Sequence, residues 1–135
     1  MIVLDAAALV DVVADRPSGE WVLAVLEDEE IHAPAHQPAE VLSALSRLAR
    51  AGDVSHRGAA DALDEAMGLP QELHPVDRQL SRRAYELGDR IRVLDGLYVA
   101  LAERLGAALV TTDLRIARAD PPCAVRHPAD HGGQP

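Results

Sequence analysis

Residues 94–113 read LDGLYVALAERLGAALVTTD, and this stretch indicates the fold class most clearly. Its first part, 94–105, has the apolar spacing of a helix, and Gly106 follows as a stop. Residues 108–112 then form an apolar run with two threonines that leads into Asp113. A helix followed at once by a strand that ends at an acidic residue is typical of an α/β protein.

The start of the chain carries a matching pattern. Residues 2–4, Ile-Val-Leu, form a short apolar run that stops at Asp5, and the helix-forming stretch AAALVDVVA follows. Between the two ends the pattern predicts helices over 18–28, 38–50, 55–67 and 77–90 and short strands near 31–34 and 73–76, with a helix over 114–119 and a strand near 123–126 at the end. We therefore predict an α/β fold, a three-layer sandwich whose central, mainly parallel sheet of four to five strands is flanked by helices.

At 135 residues the chain fits a single domain. The closing sequence HPADHGGQP has the Pro, Gly and polar content of a frayed end. We therefore predict one domain over 1–127 and a flexible C-terminal tail over 128–135. The chain has one cysteine, Cys123, and neither an apolar run of about 18 residues nor a secretory signal, which predicts a cytoplasmic protein without disulfides.

Charge and composition exclude several classes of function. All 13 basic residues are Arg, so lysine-dependent chemistry, such as that of P-loops and Schiff-base enzymes, is unexpected. The aromatic side chains are limited to Trp21, Tyr85 and Tyr98, which argues against a base-stacking platform. A net charge of -9 disfavours a general nucleic-acid binder. Any RNA substrate would need metal ions and local Arg side chains to offset the repulsion.

Two acidic residues each stand directly after an apolar strand and before a helix. These are Asp5 and Asp113. Because the carboxyl ends of parallel strands meet at one edge of a sheet, both side chains should point from the same edge, where they can share one ion. The alternative for each residue alone is a helix N-cap, which is common for Asp at such a junction.

Two further acids lie in the first turns of helices. Apolar neighbours flank Asp95 on its helix, so its carboxylate should be partly buried and need a partner, either a metal site or Arg92 and the N–H groups of its own helix. Glu40 lies well away from the apolar stripe of its helix. Periodicity alone therefore predicts an exposed Glu40 that stabilises the helix dipole.

Four segments together resemble a known family. IVLDAAALV at 2–10, PAEVLSAL at 38–45, the stretch at 94–113 and LRIARA at 114–119 occur in the order and spacing of a PIN domain, and they look most like VapC-type toxins of bacterial toxin–antitoxin pairs. The resemblance covers nearly the whole chain. It implies a metal-dependent ribonuclease whose catalytic and metal-binding acids, all at the carboxyl edge of the sheet, are Asp5, Glu40, Asp95 and Asp113.

The resemblance also implies a mechanism and partners. One Mg²⁺ or Mn²⁺ ion, or a pair about 4 Å apart, would promote hydrolysis of RNA to a 5′-phosphate and a 3′-hydroxyl. The implied partners are a second copy of the chain, as a homodimer, and a VapB-type antitoxin that lies across the cleft, with a higher toxin–antitoxin assembly as a further form. Weaker candidates for contact with the substrate are Arg115, Arg118 and Thr112.

One departure from the family leaves alternatives open. The family often has Ser or Thr two residues after the first acid, where this chain has Ala7, so a hydroxyl would come from Thr111, Thr112 or water. A catalytically idle PIN-like interaction module and a structure-specific DNA nuclease remain as alternatives. The six histidines show no local zinc-binding pattern, and a zinc site is not expected.

Overall fold

A five-stranded parallel sheet organises the computed structural model, which describes residues 1–132. The strands are β1 (Ile2–Leu4), β2 (Ile31–Pro34), β3 (Glu72–His74), β4 (Ala108–Val110) and β5 (Val125–Arg126), in the spatial order β3-β2-β1-β4-β5. The helices are α1 (Ala6–Val13), α2 (Gly19–Leu26), α3 (Gln37–Arg50), α4 (His56–Met67), α5 (Arg78–Glu86), α6 (Val93–Leu105), α7 (Leu114–Arg118) and α8 (Ala129–Gly132). The predicted fold class is confirmed.

The two central strands come from the apolar runs at the start and near the end of the chain. β1 is buried along its whole length and pairs with β2 on one side and β4 on the other, with Ile2 aligned to Ile31 and to Ala108. Strands covered on both faces need apolar side chains at consecutive positions, which both runs supply. Asp5 and Asp113 consequently leave the sheet at the same edge.

Helices cover both faces of the sheet. α1 packs with α2, α3 and α4, whereas α5 packs with α6. Gly96 on α6 allows the close approach of α5, because a Cβ atom there would lie 3.2 Å from the backbone Cα of Ala84. The core is filled by Ala, Leu and Val, as expected for a chain without Phe.

Several boundaries differ from the sequence prediction. β3 covers 72–74 rather than 73–76, because Pro75 follows His74 and has no N–H to continue the ladder. α5 ends at Glu86 rather than near residue 90, with Leu87 as its C-cap. The predicted flexible tail, 128–135, contains the short helix α8, and its last three residues lie outside the described part of the chain. Within residues 1–132, no helix is long and apolar enough to span a membrane.

Candidate active site

A cleft of about 570 Å³ opens at the carboxyl ends of β1 and β4 and the start of α3. All four acids of the sequence prediction line it: Asp5, Glu40, Asp95 and Asp113. Three arginines also contribute to its walls: Arg47, Arg92 and Arg115. The cleft thus combines carboxylates, which can hold cations, with guanidinium groups, which can hold phosphate.

Asp5 is the buried acid at the floor of the cleft, with 3% of its surface exposed. One carboxylate oxygen accepts from the backbone N–H of Ala8 at 2.8 Å, and the other accepts from the hydroxyl of Thr111. Burial is the main cause that raises the pKa of Asp5 to about 7 despite these two donors, and the negative charges of Asp113 and Asp95 act in the same direction. Asp5 therefore caps α1. A nearby cation would also stabilise the charged form of its carboxylate.

Asp113 lies between β4 and α7, where its side chain caps the start of α7. Its Oδ1 accepts from the backbone N–H of Arg115 at 2.9 Å, and the Arg115 guanidinium donates to Oδ2 at 2.9 Å. Burial acts to raise the pKa of Asp113, but the hydrogen bonds and charge of Arg115 outweigh burial and leave the pKa below its usual value. Asp5 and Asp113 therefore each cap a helix, and both also lie at the same edge of the sheet.

Glu40 is half-buried, which differs from the exposed position that periodicity predicts. The Tyr98 hydroxyl donates to Glu40 Oε1 at 2.6 Å, and His36 Nε2 lies 3.2 Å from the same oxygen. Burial acts to raise the pKa of Glu40, but the two hydrogen bonds lower it below its usual value. The helical pattern of α3 could not reveal this environment, because Tyr98 reaches Glu40 from α6.

Asp95 is partly buried, as its apolar neighbours predicted, with 13% of its side chain exposed. Arg92 Nε donates to its Oδ2 at 3.1 Å, so the alternative partner considered for Asp95 is present. Burial nevertheless raises the pKa of Asp95, and the charges of Asp113 and Glu40 act in the same direction. The ion pair with Arg92 therefore offsets only part of the cost of burying the charged Asp95 carboxylate.

The four acids share the cleft but not one tight cluster. No three of them bring carboxylate oxygens within 4.8 Å of one another. Like charges repel at short range, and each acid is held by its own donor from Thr111, Tyr98, Arg92 or Arg115. An ion bound by several of these acids would have to draw them inward and compete with the two guanidinium groups.

The weaker candidates for substrate contact occupy different places. Arg115 lines the cleft, whereas Arg118 is exposed and is not part of its lining. Thr112 lies beside Asp11, outside the cleft. Thr111, in contrast, donates to Asp5, so a hydroxyl is present beside the first acid although Ala7 contributes none.

Sequence reasoning missed three side chains that line the cleft: His36, Arg47 and Tyr98. The His36 ring lies 4.8 Å from the Tyr98 ring, and its Nδ1 is buried with no hydrogen-bond partner in the described residues. Spacing carried a weak signal for two of them. His36 precedes Glu40 by four residues and Tyr98 follows Asp95 by three, which places each near the acid on a helix face.

Comparisons with known proteins give consistent results. The family model described as "PIN domain" matches residues 2–121. Ribonuclease VapC3 of Mycobacterium tuberculosis is 45% identical over 123 residues, which cover 89% of this chain and 88% of that protein.

Solved structures of more distant proteins share the architecture. VapC20 of Mycobacterium tuberculosis, described as a Sarcin-Ricin loop cleaving toxin, superposes with a TM-score of 0.69 at 17% identity, covering 90% of this chain and 96% of that one. A chain of VapBC2 from Rickettsia felis, solved with a DNA fragment from its promoter, superposes with a TM-score of 0.67 at 20% identity, covering 94% and 98%. At these identities the likeness concerns the fold.

Proposed function

This chain belongs to the PIN domain family, and from that premise we propose that it is a metal-dependent endoribonuclease, the toxin of a toxin–antitoxin pair. The observation that carries the proposal is the convergence of Asp5, Glu40, Asp95 and Asp113 on one cleft. The likeness to a relative named as a ribonuclease, at 45% identity over most of both chains, supports RNA as the substrate.

The donor set of the cleft fits Mg²⁺ or Mn²⁺. These ions take oxygen ligands, and Asp5 is a deeply buried carboxyl group whose pKa of about 7 shows how poorly its charge is compensated without a cation. We assign Asp5, Asp95 and Asp113 as ligands, with Glu40 as a fourth acid. When bound, such an ion supplies a nucleophile from water at neutral pH and offsets charge on the phosphate.

The protein's own side chains position these groups and the substrate. Thr111 and Tyr98 orient Asp5 and Glu40 by hydrogen bonds. Arg92 and Arg115, which pair with Asp95 and Asp113, can turn to the phosphates that flank the cleaved bond, because a guanidinium group binds phosphate through two parallel hydrogen bonds. These arginines supply local positive charge in a chain whose net charge is -9.

The proposed partners follow from the same cleft. An antitoxin segment with a basic side chain would neutralise the acids and block access of RNA, and the acidic chain favours association with such a segment. The fold is shared with a chain of VapBC2, which supports an antitoxin partner. We further propose that the protein forms a homodimer in the absence of antitoxin, which light scattering of the purified chain measures directly.

Cleavage assays on purified protein test the proposal. With Mg²⁺ or Mn²⁺ the chain should cut RNA and leave 5′-phosphate ends, and chelation should stop the reaction. Asp5→Asn should lower the rate by at least about 1000-fold, since several kcal/mol of charge stabilisation are lost. The matched control is Asp61→Asn, an exposed position on α4 outside the cleft, which should cleave like the wild type.

Other results would contradict the proposal. Wild-type protein that binds antitoxin but cuts no RNA with either ion would indicate the idle interaction module. Cleavage of flap DNA in preference to RNA would indicate the DNA nuclease. Equal rates for Asp5→Asn and Asp61→Asn would show that cleavage does not depend on the acid cleft.

A further inference from the structure

A second group of ionisable side chains lies on the sheet at the β2–β3 pair. It consists of His32 on β2 and of Glu72 and His74 on β3. His32 and Glu72 are register partners, and His74 follows Glu72 by two residues, so the three side chains project from the same face of the sheet. One potential ligand atom from each residue lies within 4.8 Å of the others. None of the three lines the acid cleft.

Glu30 sets the orientation of the buried imidazole of His32. Glu30 Oε1 lies 2.7 Å from His32 Nε2, and the His32 side chain is only 5% exposed. Because a carboxylate can only accept, Nε2 donates to Glu30, and Nδ1 is the nitrogen that can bind a metal ion. A carboxylate behind a ligating histidine is a recurrent feature of metal sites, since it fixes the tautomer and the direction of the ring.

His32 Nδ1 faces the other two residues. Nδ1 lies 2.9 Å from His74 Nε2 and 3.4 Å from Glu72 Oε2. Ligand atoms around a tetrahedral zinc ion stand about 3.3 Å apart, given bonds of about 2.0 Å. The two distances from His32 Nδ1 therefore lie within about 0.4 Å of the spacing around an ion, and the Glu72 and His74 atoms lie within 4.8 Å of each other. Glu72 and Glu30, with side chains 66% and 70% exposed, leave the group open to solvent.

We propose that His32 Nδ1, His74 Nε2 and the Glu72 carboxylate form a binding site for a divalent transition-metal ion of the Zn²⁺ type. Two imidazoles and one carboxylate suit Zn²⁺ and Ni²⁺ rather than Mg²⁺, and water fills the remaining position. In the metal-free protein His74 Nε2–H donates to His32 Nδ1. On binding, that proton moves to His74 Nδ1 or to solvent, and the ion links the edge strand β3 to β2. The site is independent of the ribonuclease proposal.

Zinc titration of the full-length protein tests this site. Calorimetry in excess Mg²⁺, added to fill the metal site proposed for the acid cleft, should give one Zn²⁺ per chain, and Zn²⁺ should raise the melting temperature by at least about 5 °C at saturation. Glu72→Gln and His74→Gln should each weaken Zn²⁺ binding at least tenfold, and Glu30→Gln should weaken it by about 10- to 100-fold. The matched control is His56→Gln, an exposed histidine at the start of α4, which should bind like the wild type.

Long-range ¹H–¹⁵N spectra of the imidazoles identify the binding nitrogens. Zinc should shift His32 Nδ1 and His74 Nε2 and leave His56 unchanged. Glu72 is exposed, so Glu72→Gln remains informative even where a His74 variant does not fold. Unchanged His32 and His74 resonances on saturation with Zn²⁺, or equal losses of affinity in Glu72→Gln and His56→Gln, would overturn the proposal and leave the group as a hydrogen-bonded network.

Discussion

The acid cleft and the histidine group differ in how closely their ionisable side chains approach one another. In the acid cleft, carboxylates stand apart, each held by an arginine or a hydroxyl donor. In the histidine group, two imidazole rings approach to 2.9 Å, because one ring can donate a hydrogen bond to the other. Carboxylates that share a cleft repel one another, and a hard cation reduces that repulsion, whereas two imidazoles can form a compact site.

The largest expected effect is a separation of metal responses. Asp113→Asn should abolish the increase in melting temperature that Mg²⁺ or Mn²⁺ produces, because it removes an oxygen ligand, and should leave the response to Zn²⁺ in excess Mg²⁺ unchanged. Thermal unfolding with each ion measures both responses. Loss of both responses in this variant would show that the two regions form one site.

A pH experiment tests the burial of Asp5. The pKa of Asp5 is about 7 in the folded protein, against 3.8 for the free group. Its protonated form thus stabilises the fold fully below pH about 4, and this contribution is lost as pH rises to about 7. Without divalent ions, wild-type stability relative to Asp5→Asn should fall by up to about 4 kcal/mol across this range. Urea unfolding at each pH measures the difference, and parallel curves for the two proteins would contradict the burial argument.

Removal of one hydroxyl should have a smaller effect. Tyr98→Phe leaves half-buried Glu40 without its 2.6 Å donor, so the variant should lose about 1–2 kcal/mol of stability at neutral pH. The control Tyr85→Phe alters a residue that is 81% exposed and should change stability by less than about 0.5 kcal/mol. Equal urea midpoints for the two variants would show that Tyr98 does not support Glu40.

The smallest expected effect concerns competition between arginine and metal. Arg115→Ala removes the cation that pairs with Asp113, so Mg²⁺ affinity should rise by about 2- to 10-fold, as expected from the loss of a partly exposed ion pair. Arg118→Ala, three residues further along α7 and outside the cleft, is the matched control. Calorimetry measures both affinities. Weaker Mg²⁺ binding in Arg115→Ala would show that Arg115 supports the ion rather than competing with it.

Sequence patterns were sufficient to predict the α/β fold and most of its helices and strands. Fully apolar strands at 2–4 and 108–110 can be satisfied only inside a sheet covered on both faces, which places Asp5 and Asp113 at one edge. The burial of Asp95 also followed from its helical neighbours. The ends of α5 and β3 were predicted less well, because local patterns change gradually at such boundaries.

Contacts between side chains of different helices and strands emerged from the three-dimensional arrangement and not from sequence patterns. Tyr98 reaches Glu40 from another helix, and Thr111 reaches Asp5 from the segment that follows β4. His32 and His74, 42 residues apart, become neighbours through the register of β2 and β3. Helical and strand periodicities describe one segment at a time, whereas burial, pKa and metal-ligand spacing depend on the atoms that a different segment brings near.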